Sequence, residues 1–235
     1  LTPAYARAWY EMAKSCNINI IRLHAQVYPE YYLDVADEMG MLIVDETALW
    51  GSAINFWYND DFLRRASDHA RRLVLRDRNH PSVVLWSVAN EIYARKADDN
   101  APSLDWIFAR YAEWAQEMKD LDPTREVSSD GDNDLNGRLN ICSYHYPGAG
   151  DPKRGKITTI GESGSMYYST PPEVAHAIGD RAYRTSNDRM EAVAIETADL
   201  IEGYRKWAAY STPFNIVWYG LEPLPIDVKF EYEDL

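Results

Sequence analysis

Two cysteines in 235 residues leave little room for a covalent framework, and Cys16 and Cys142 lie far apart in the chain. Both stand in apolar strand or pre-strand contexts, so two buried free thiols are expected rather than a disulfide, and two thiols alone cannot make a zinc site. Basic residues are also scarce: 24 Lys and Arg against 37 Asp and Glu give a net charge of −13. No basic stripe is present to follow a phosphate backbone, which excludes nucleic acid as a partner. No apolar run approaches the ~18 residues of a membrane span, and the mean hydropathy is −0.47. The histidines His24, His69, His80, His145 and His176 fall at no metal-ligand spacing. The stretch Asp130-Gly-Asp-Asn-Asp134 lacks the terminal glutamate of a calcium loop and reads as solvated. No metal and no cofactor are expected. An initiator methionine and a signal peptide are missing too: Leu1-Thr-Pro-Ala opens directly on a helical pattern, with Thr2 as N-cap and Pro3 at the first helical position. The chain therefore reads as an excised piece of a longer soluble protein, and a periplasmic, extracellular or cytoplasmic compartment stays open.

What is present is an apolar fraction of 46%, enough for one good core, and 8 Trp with 17 Tyr. Tyr and Trp pair an apolar face with a polar tip, suited equally to packing a core and to stacking on sugar rings. Strand-like and helix-like patterns alternate. Helices are expected over 3–15, 30–38 and 61–76, over a long segment capped by Ser103 and stopped at Asp122-Pro123, and over 187–209. Strands are expected over 19–24, 41–44, 83–91, 126–129, 140–146, 157–162 and 214–219. Regular βα alternation implies a parallel sheet with right-handed crossovers. A closed barrel needs eight strands and only seven are legible, so the missing one is expected before residue 1. The organisation read from this is an α/β (β/α)8 barrel lacking its first strand, spanning residues 1–222, with residues 223–235 as an exit linker.

Two places carry chemistry. Residues 78–91 run from a turn through the apolar segment Val83-Val-Leu85 and Val88 to the pair Asn90-Glu91. Residues 157–164 repeat the design: Ile157-Thr-Thr-Ile-Gly-Glu162-Ser-Gly. A carboxylate beside a buried strand is costly unless something uses it, and in (β/α) barrels the carboxyl ends of the strands are where chemistry is placed. Two such glutamates suggest a two-carboxylate active site. Simpler readings are a salt-bridged strand end for Glu91 and a helix-start carboxylate for Glu162.

The segments Asn17-Ile-Asn-Ile-Ile-Arg-Leu-His24, Asp37-Glu-Met-Gly-Met-Leu-Ile-Val-Asp-Glu46 and His80-Pro-Ser-Val-Val-Leu-Trp-Ser-Val-Ala-Asn-Glu91 resemble the catalytic barrel of family 2 glycoside hydrolases, the β-galactosidases, β-glucuronidases and β-mannosidases. The resemblance runs from about residue 5 to about residue 220. It implies a retaining β-glycosidase, β-galactosidase-like, with Glu91 as general acid/base on the fourth barrel strand and Glu162 as nucleophile on the seventh. Residue by residue, it implies that Asn90 bonds the sugar 2-hydroxyl, although the same residue suits a left-handed turn. It pairs Arg22 with Glu162, against a structural pairing with Asp45 or Glu46. It places His24 near a hydroxyl, against a plain core histidine. Tyr144 and Tyr146 share a strand face opposite His145; a tyrosine here bonds the nucleophile, and Tyr146 is preferred. Trp218 resembles the floor of the sugar site. His80 precedes its strand, at the stability face of the barrel. The expected partner is a carbohydrate substrate, with β-sandwich domains elsewhere in the parent chain. The last strand departs from the family pattern, reading Trp218-Tyr-Gly-Leu-Glu-Pro-Leu-Pro, which leaves the sugar open. An endo-acting β-glycanase, with the loop around 50–58 lining extra subsites, and a catalytically silent carbohydrate-binding barrel are the alternatives.

Overall fold

The computed structural model describes residues 2–51, 59–92, 102–148, 150, 155–164 and 169–214. The order is α1 (Pro3–Ser15), β1 (Ile20–Arg22), α2 (Tyr31–Met39), β2 (Leu42–Glu46), α3 (Asp60–Asp77), β3 (Val83–Asn90), α4 (Leu104–Leu121), β4 (Val127–Asp130), β5 (Ile141–His145), β6 (Ile157–Ser163), α5 (Pro171–Ile178), a 3-10 turn (Gly179–Tyr183), α6 (Ser186–Tyr204) and β7 (Ser211–Pro213). The helices begin where the sequence caps them. Thr2, Asn59, Ser103 and Thr185 each accept a backbone N–H in the first turn through their side chains, each worth about 1 kcal/mol. Gly40 ends α2 at φ 64°, a left-handed cap that favours glycine.

All the strand pairs are parallel, in the orders β1-β2-β3-β4 and β5-β6-β7. This is the alternating α/β pattern of a TIM barrel, with seven strands among the described residues. Two faces separate cleanly. Ile43, Val83, Trp86, Val88 and Val127 point outward into the main core, packing with Tyr10, Tyr32, Ala70, Tyr111 and Met118 of the helices. Val44, Leu85 and Ile141 form a separate small cluster with Ile20 and Tyr210 on the inner side.

The strand period of two then builds the site. Two residues beyond each inner apolar residue stands a polar one: Ile20 leads to Arg22, Val44 to Glu46, Leu85 to Ser87 and Ile141 to Ser143. The barrel interior is thus apolar at one level and polar at the next, toward the carboxyl ends. At the opposite end, Asp37 accepts from Ser82 N at 2.9 Å and lies 2.7 Å from His80 Nδ1, a fastening far from the polar layer.

Two expectations need correction, on Cys16 and on the 130–134 loop, and one helix is added to those expected. Cys142 is buried but Cys16, just past α1, is exposed. The expected 187–209 helix is α6, and ahead of it, across the 3-10 turn, stands the unexpected α5, which Pro171 and the Thr170–Glu173 capping box start. The last described strand ends at Pro213; residues 215–235, with Trp218 and the expected linker, lie outside the described residues, as do residues 52–58 of the aromatic loop. The 130–134 loop is not solvated: Asp132 and Asp134 are buried because their carboxylates serve internal donors.

Candidate active site

Arg22 organises the polar layer. Buried on the inner face of β1, its guanidinium reaches both oxygens of Glu46 at 2.9 and 2.8 Å, Asn90 Oδ1 at 3.1 Å, the Gly161 carbonyl at 3.1 Å and Glu162 Oε1. A guanidinium has five donors in a rigid fork, and here its five contacts go to four residues on three other strands. The alternatives for its partner therefore merge, since it binds Glu46 and Glu162 together. Asp45 is excluded: it faces the other side of β2, where burial and then Asp77 push its carboxyl well above the ordinary range.

Around that cation lies an excess of acid. Burial, with help from the charge of Asp130, raises Glu46 to about 7 against the opposing pull of Arg22. Asp130, on β4, is completely buried and accepts from Ser143 Oγ at 2.8 Å; burial pushes its carboxyl up, but Arg22 and His145 hold it below the ordinary value. Gly161 is glycine for a spatial reason, because a Cβ there would lie 2.0 Å from Asp130 Oδ1.

Glu91 is held in a left-handed conformation, φ 50°, just beyond β3. Asn90 is the extended residue, pairing with Asp130, so the left-handed turn falls one position later than the sequence suggested. For a glutamate this backbone costs about 1 kcal/mol or more, and the surroundings impose it. Glu91 N donates to Asp130 O at 2.8 Å, and Ile92 N donates to Asp132 Oδ2 at 3.1 Å. From the other side Gly51 packs so close that a Cβ would sit 2.1 Å from Glu91 O. The acidic loop after β4 thus serves to aim Glu91.

Glu162, next to last on β6, bonds Arg22 and the Tyr146 hydroxyl, with His24 Nε2 at 3.4 Å. Burial and the charge of Arg22 lower His24 to about 4, so it meets Glu162 as a neutral polar group. Of the two tyrosines on one expected strand face, Tyr146 is the one on Glu162; Tyr144 sits opposite Ile160. His145, expected on the far face, is the residue the sequence missed. Its Nδ1 lies 2.8 Å from Glu91 Oε1 and 3.7 Å from Glu162 Oε1. The register of β5 on β6 shifts between Tyr144 and His145, and Tyr146 takes φ 49°. A bulge lets successive side chains face one side, and no feature of Ser-Tyr-His-Tyr-Pro announces it.

One oxygen each of Glu91 and Glu162 and a His145 nitrogen lie within 4.8 Å of one another. That spacing would suit a metal ion, but the guanidinium of Arg22 already occupies the charge-compensating position on Glu162 Oε1. As a carboxyl pair, the arrangement can protonate a leaving oxygen from one side and attack carbon from the other. Asn90 Nδ2 is buried with no hydrogen-bond partner among the described residues, a donor left for something that enters the site. Trp218 lies outside the described residues.

Residues 7–171 match the family described as glycosyl hydrolases family 2, TIM barrel domain. Human β-glucuronidase is 30% identical over 126 residues, 51% of this chain and 18% of the relative. The β-galactosidase BoGH2A of Bacteroides ovatus is 30% identical over 177 residues, 58% of this chain and 20% of the relative. The chain spans about a fifth of the length of these curated relatives. Among solved structures, a Bacteroides uniformis β-glucuronidase superposes with a TM-score of 0.68 at 16% identity, over 92% of this chain and 28% of that one. A family 2 β-galacturonidase from Eisenbergiella tayi, bound to galacturonate, gives a TM-score of 0.64 at 22% identity, over 91% of this chain and 40% of that one. By the family match, the chain belongs to glycosyl hydrolases family 2, as its TIM barrel domain.

Proposed function

We propose that the protein carrying this chain is a retaining exo-acting β-glycosidase that releases terminal β-linked sugars in a double displacement, β-galactosidase-like in its substrate. The observation that carries this reading is the close approach of Glu91 and Glu162, with oxygens within 4.8 Å. Retaining enzymes hold their two carboxyls about 5–5.5 Å apart, and inverting ones leave room for a water between them. Glu162 is the nucleophile, since Arg22 and Tyr146 both stabilise its anion and hold one oxygen toward the anomeric carbon. Glu91, half-buried at the rim, gives its proton to the leaving oxygen and then takes one from water. Asn90 Nδ2 bonds the 2-hydroxyl, His24 contributes a neutral polar contact, and the role of Trp218, outside the described residues, rests on the family resemblance alone. Carbohydrate is the substrate partner, and β-sandwich domains elsewhere in the parent chain belong to the same proposal.

A β-glucuronide is the second reading, favoured by the names of several relatives. A silent barrel fits poorly, because buried carboxylates without use are a pure cost. The test is a panel of aryl β-glycosides, galactoside and glucuronide included, given to the full-length protein, with the first-formed anomer followed by proton NMR. One β-glycoside cleaved with release of the β-anomer is the expected result. Release of the α-anomer, or cleavage of none, would sink the retaining exo-glycosidase reading.

A further inference from the structure

His145 has a slot built around it. Its side chain is 1% exposed, and glycines flank the ring on two sides. A Cβ on Gly131 would lie 2.8 Å from its Nδ1, and a Cβ on Gly161 would lie 3.0 Å from its Nε2. Larger residues at either position would push the ring off the carboxylates. The bulge between Tyr144 and His145 turns the ring inward. The groups facing it come from neighbouring strands: Glu91 after β3, Glu162 on β6, Asp130 on β4 and His24 just beyond β1.

We propose that His145 is a positioning residue for Glu91: its Nδ1–H donates permanently to Glu91 Oε1, which assigns the transferable proton of Glu91 to Oε2. This rests on the glycosidase reading above. An ionised carboxylate only accepts, and Nδ1 is the ring nitrogen placed on the carboxylates, 2.8 Å from one and 3.7 Å from the other. The proton must therefore sit on Nδ1 while Glu91 is ionised. When Glu91 is protonated on Oε2, Oε1 is a carbonyl oxygen and still accepts, so the same bond survives both half-reactions. The bond favours the anion of Glu91, and with burial opposing it the Glu91 carboxyl lies below its ordinary value. His145 thereby makes Glu91 a stronger acid toward the leaving group and fixes which oxygen faces it.

The test uses the full-length protein with His145→Leu and His145→Asn, the latter keeping an amide donor near the Nδ1 position. In His145→Leu the basic limb of kcat/KM moves to higher pH by about one unit, the size of a lost hydrogen bond to a charged group; His145→Asn brings it back toward wild type. A residue that only filled space would lower activity at all pH values and leave the limb in place. An unmoved limb in an active His145→Leu enzyme overturns the inference. Neutron diffraction from wild-type crystals supplies a readout free of activity and of folding in the variants. A deuteron on Nδ1 is expected, and a bare Nδ1 contradicts the proposal. Absence of turnover with a deuteron on Nδ1 would reject the glycosidase reading alone.

Discussion

Arg22 sits where a single substitution separates structure from chemistry. It compensates Glu46 and Glu162 at once, with 3% of its side chain exposed. Removing one partner of a buried ion pair costs about 3–5 kcal/mol, because the other charges stay buried without compensation. Arg22→Met is therefore expected to unfold at markedly lower urea concentration and to lose glycosidase activity. Arg22→Lys restores a charge but not the fork, so it regains part of the stability and little of the activity. Equal stability of Arg22→Met and wild type in urea titration would show that the polar layer is not organised around this residue. At this scale the sequence was readable where a residue type is improbable in its place: an arginine in an apolar strand, a glutamate closing one. It was unreadable at His145, since strict alternation sends that ring outward and only the bulge brings it in. It misjudged Asp132 as well, whose role depends on the amide of Ile92, 40 positions away.

At the scale of elements, α4 and β3 are locked through Asp122. Its carboxylate accepts from Trp86 Nε1 at 3.0 Å, Thr124 N at 3.1 Å and Arg125 NH1 at 2.6 Å. Burial raises the Asp122 carboxyl, but the bonds from Thr124, Arg125 and Trp86 outweigh it and bring it from 3.8 down to about 2. A depressed carboxyl contributes stability that is fully present above the unfolded value and disappears as pH falls through the folded one. The contribution, roughly 2 kcal/mol at neutral pH, is thus lost between pH 3.8 and about 2. Asp122→Asn should be less stable than wild type at pH 7 and nearly equal to it at pH 2, as measured by urea unfolding at each pH. A gap that stays constant with pH would refute this account. Elements were the most legible level of the sequence. N-caps at Thr2 and Ser103, the stop at Asp122-Pro123 and the apolar run of β3 are local signals with local causes. The short 171–178 helix escaped because its apolar face is brief and buries only Val174 fully.

For the whole molecule, the inner faces of β1, β2, β3 and β5 step from apolar to polar over two residues, and this places the described candidate groups at one end. The layering follows from alternation along strands and parallel pairing between them, so fold and site location were readable together. Distances were not, because tilt, register shifts and the left-handed turn at Glu91 set them. The roles of the two glutamates are the centre of the account. The measurement that tests them most directly is azide rescue of Glu162→Ala and Glu91→Ala in the full-length protein, on a substrate with an activated leaving group. With its nucleophile gone, Glu162→Ala should be silent alone and should form an α-glycosyl azide when azide is supplied. Glu91→Ala, still able to form the glycosyl-enzyme, should instead yield the β-glycosyl azide. A β-azide from Glu162→Ala, or wild-type turnover in that variant without azide, would contradict the assignment of Glu162 as nucleophile.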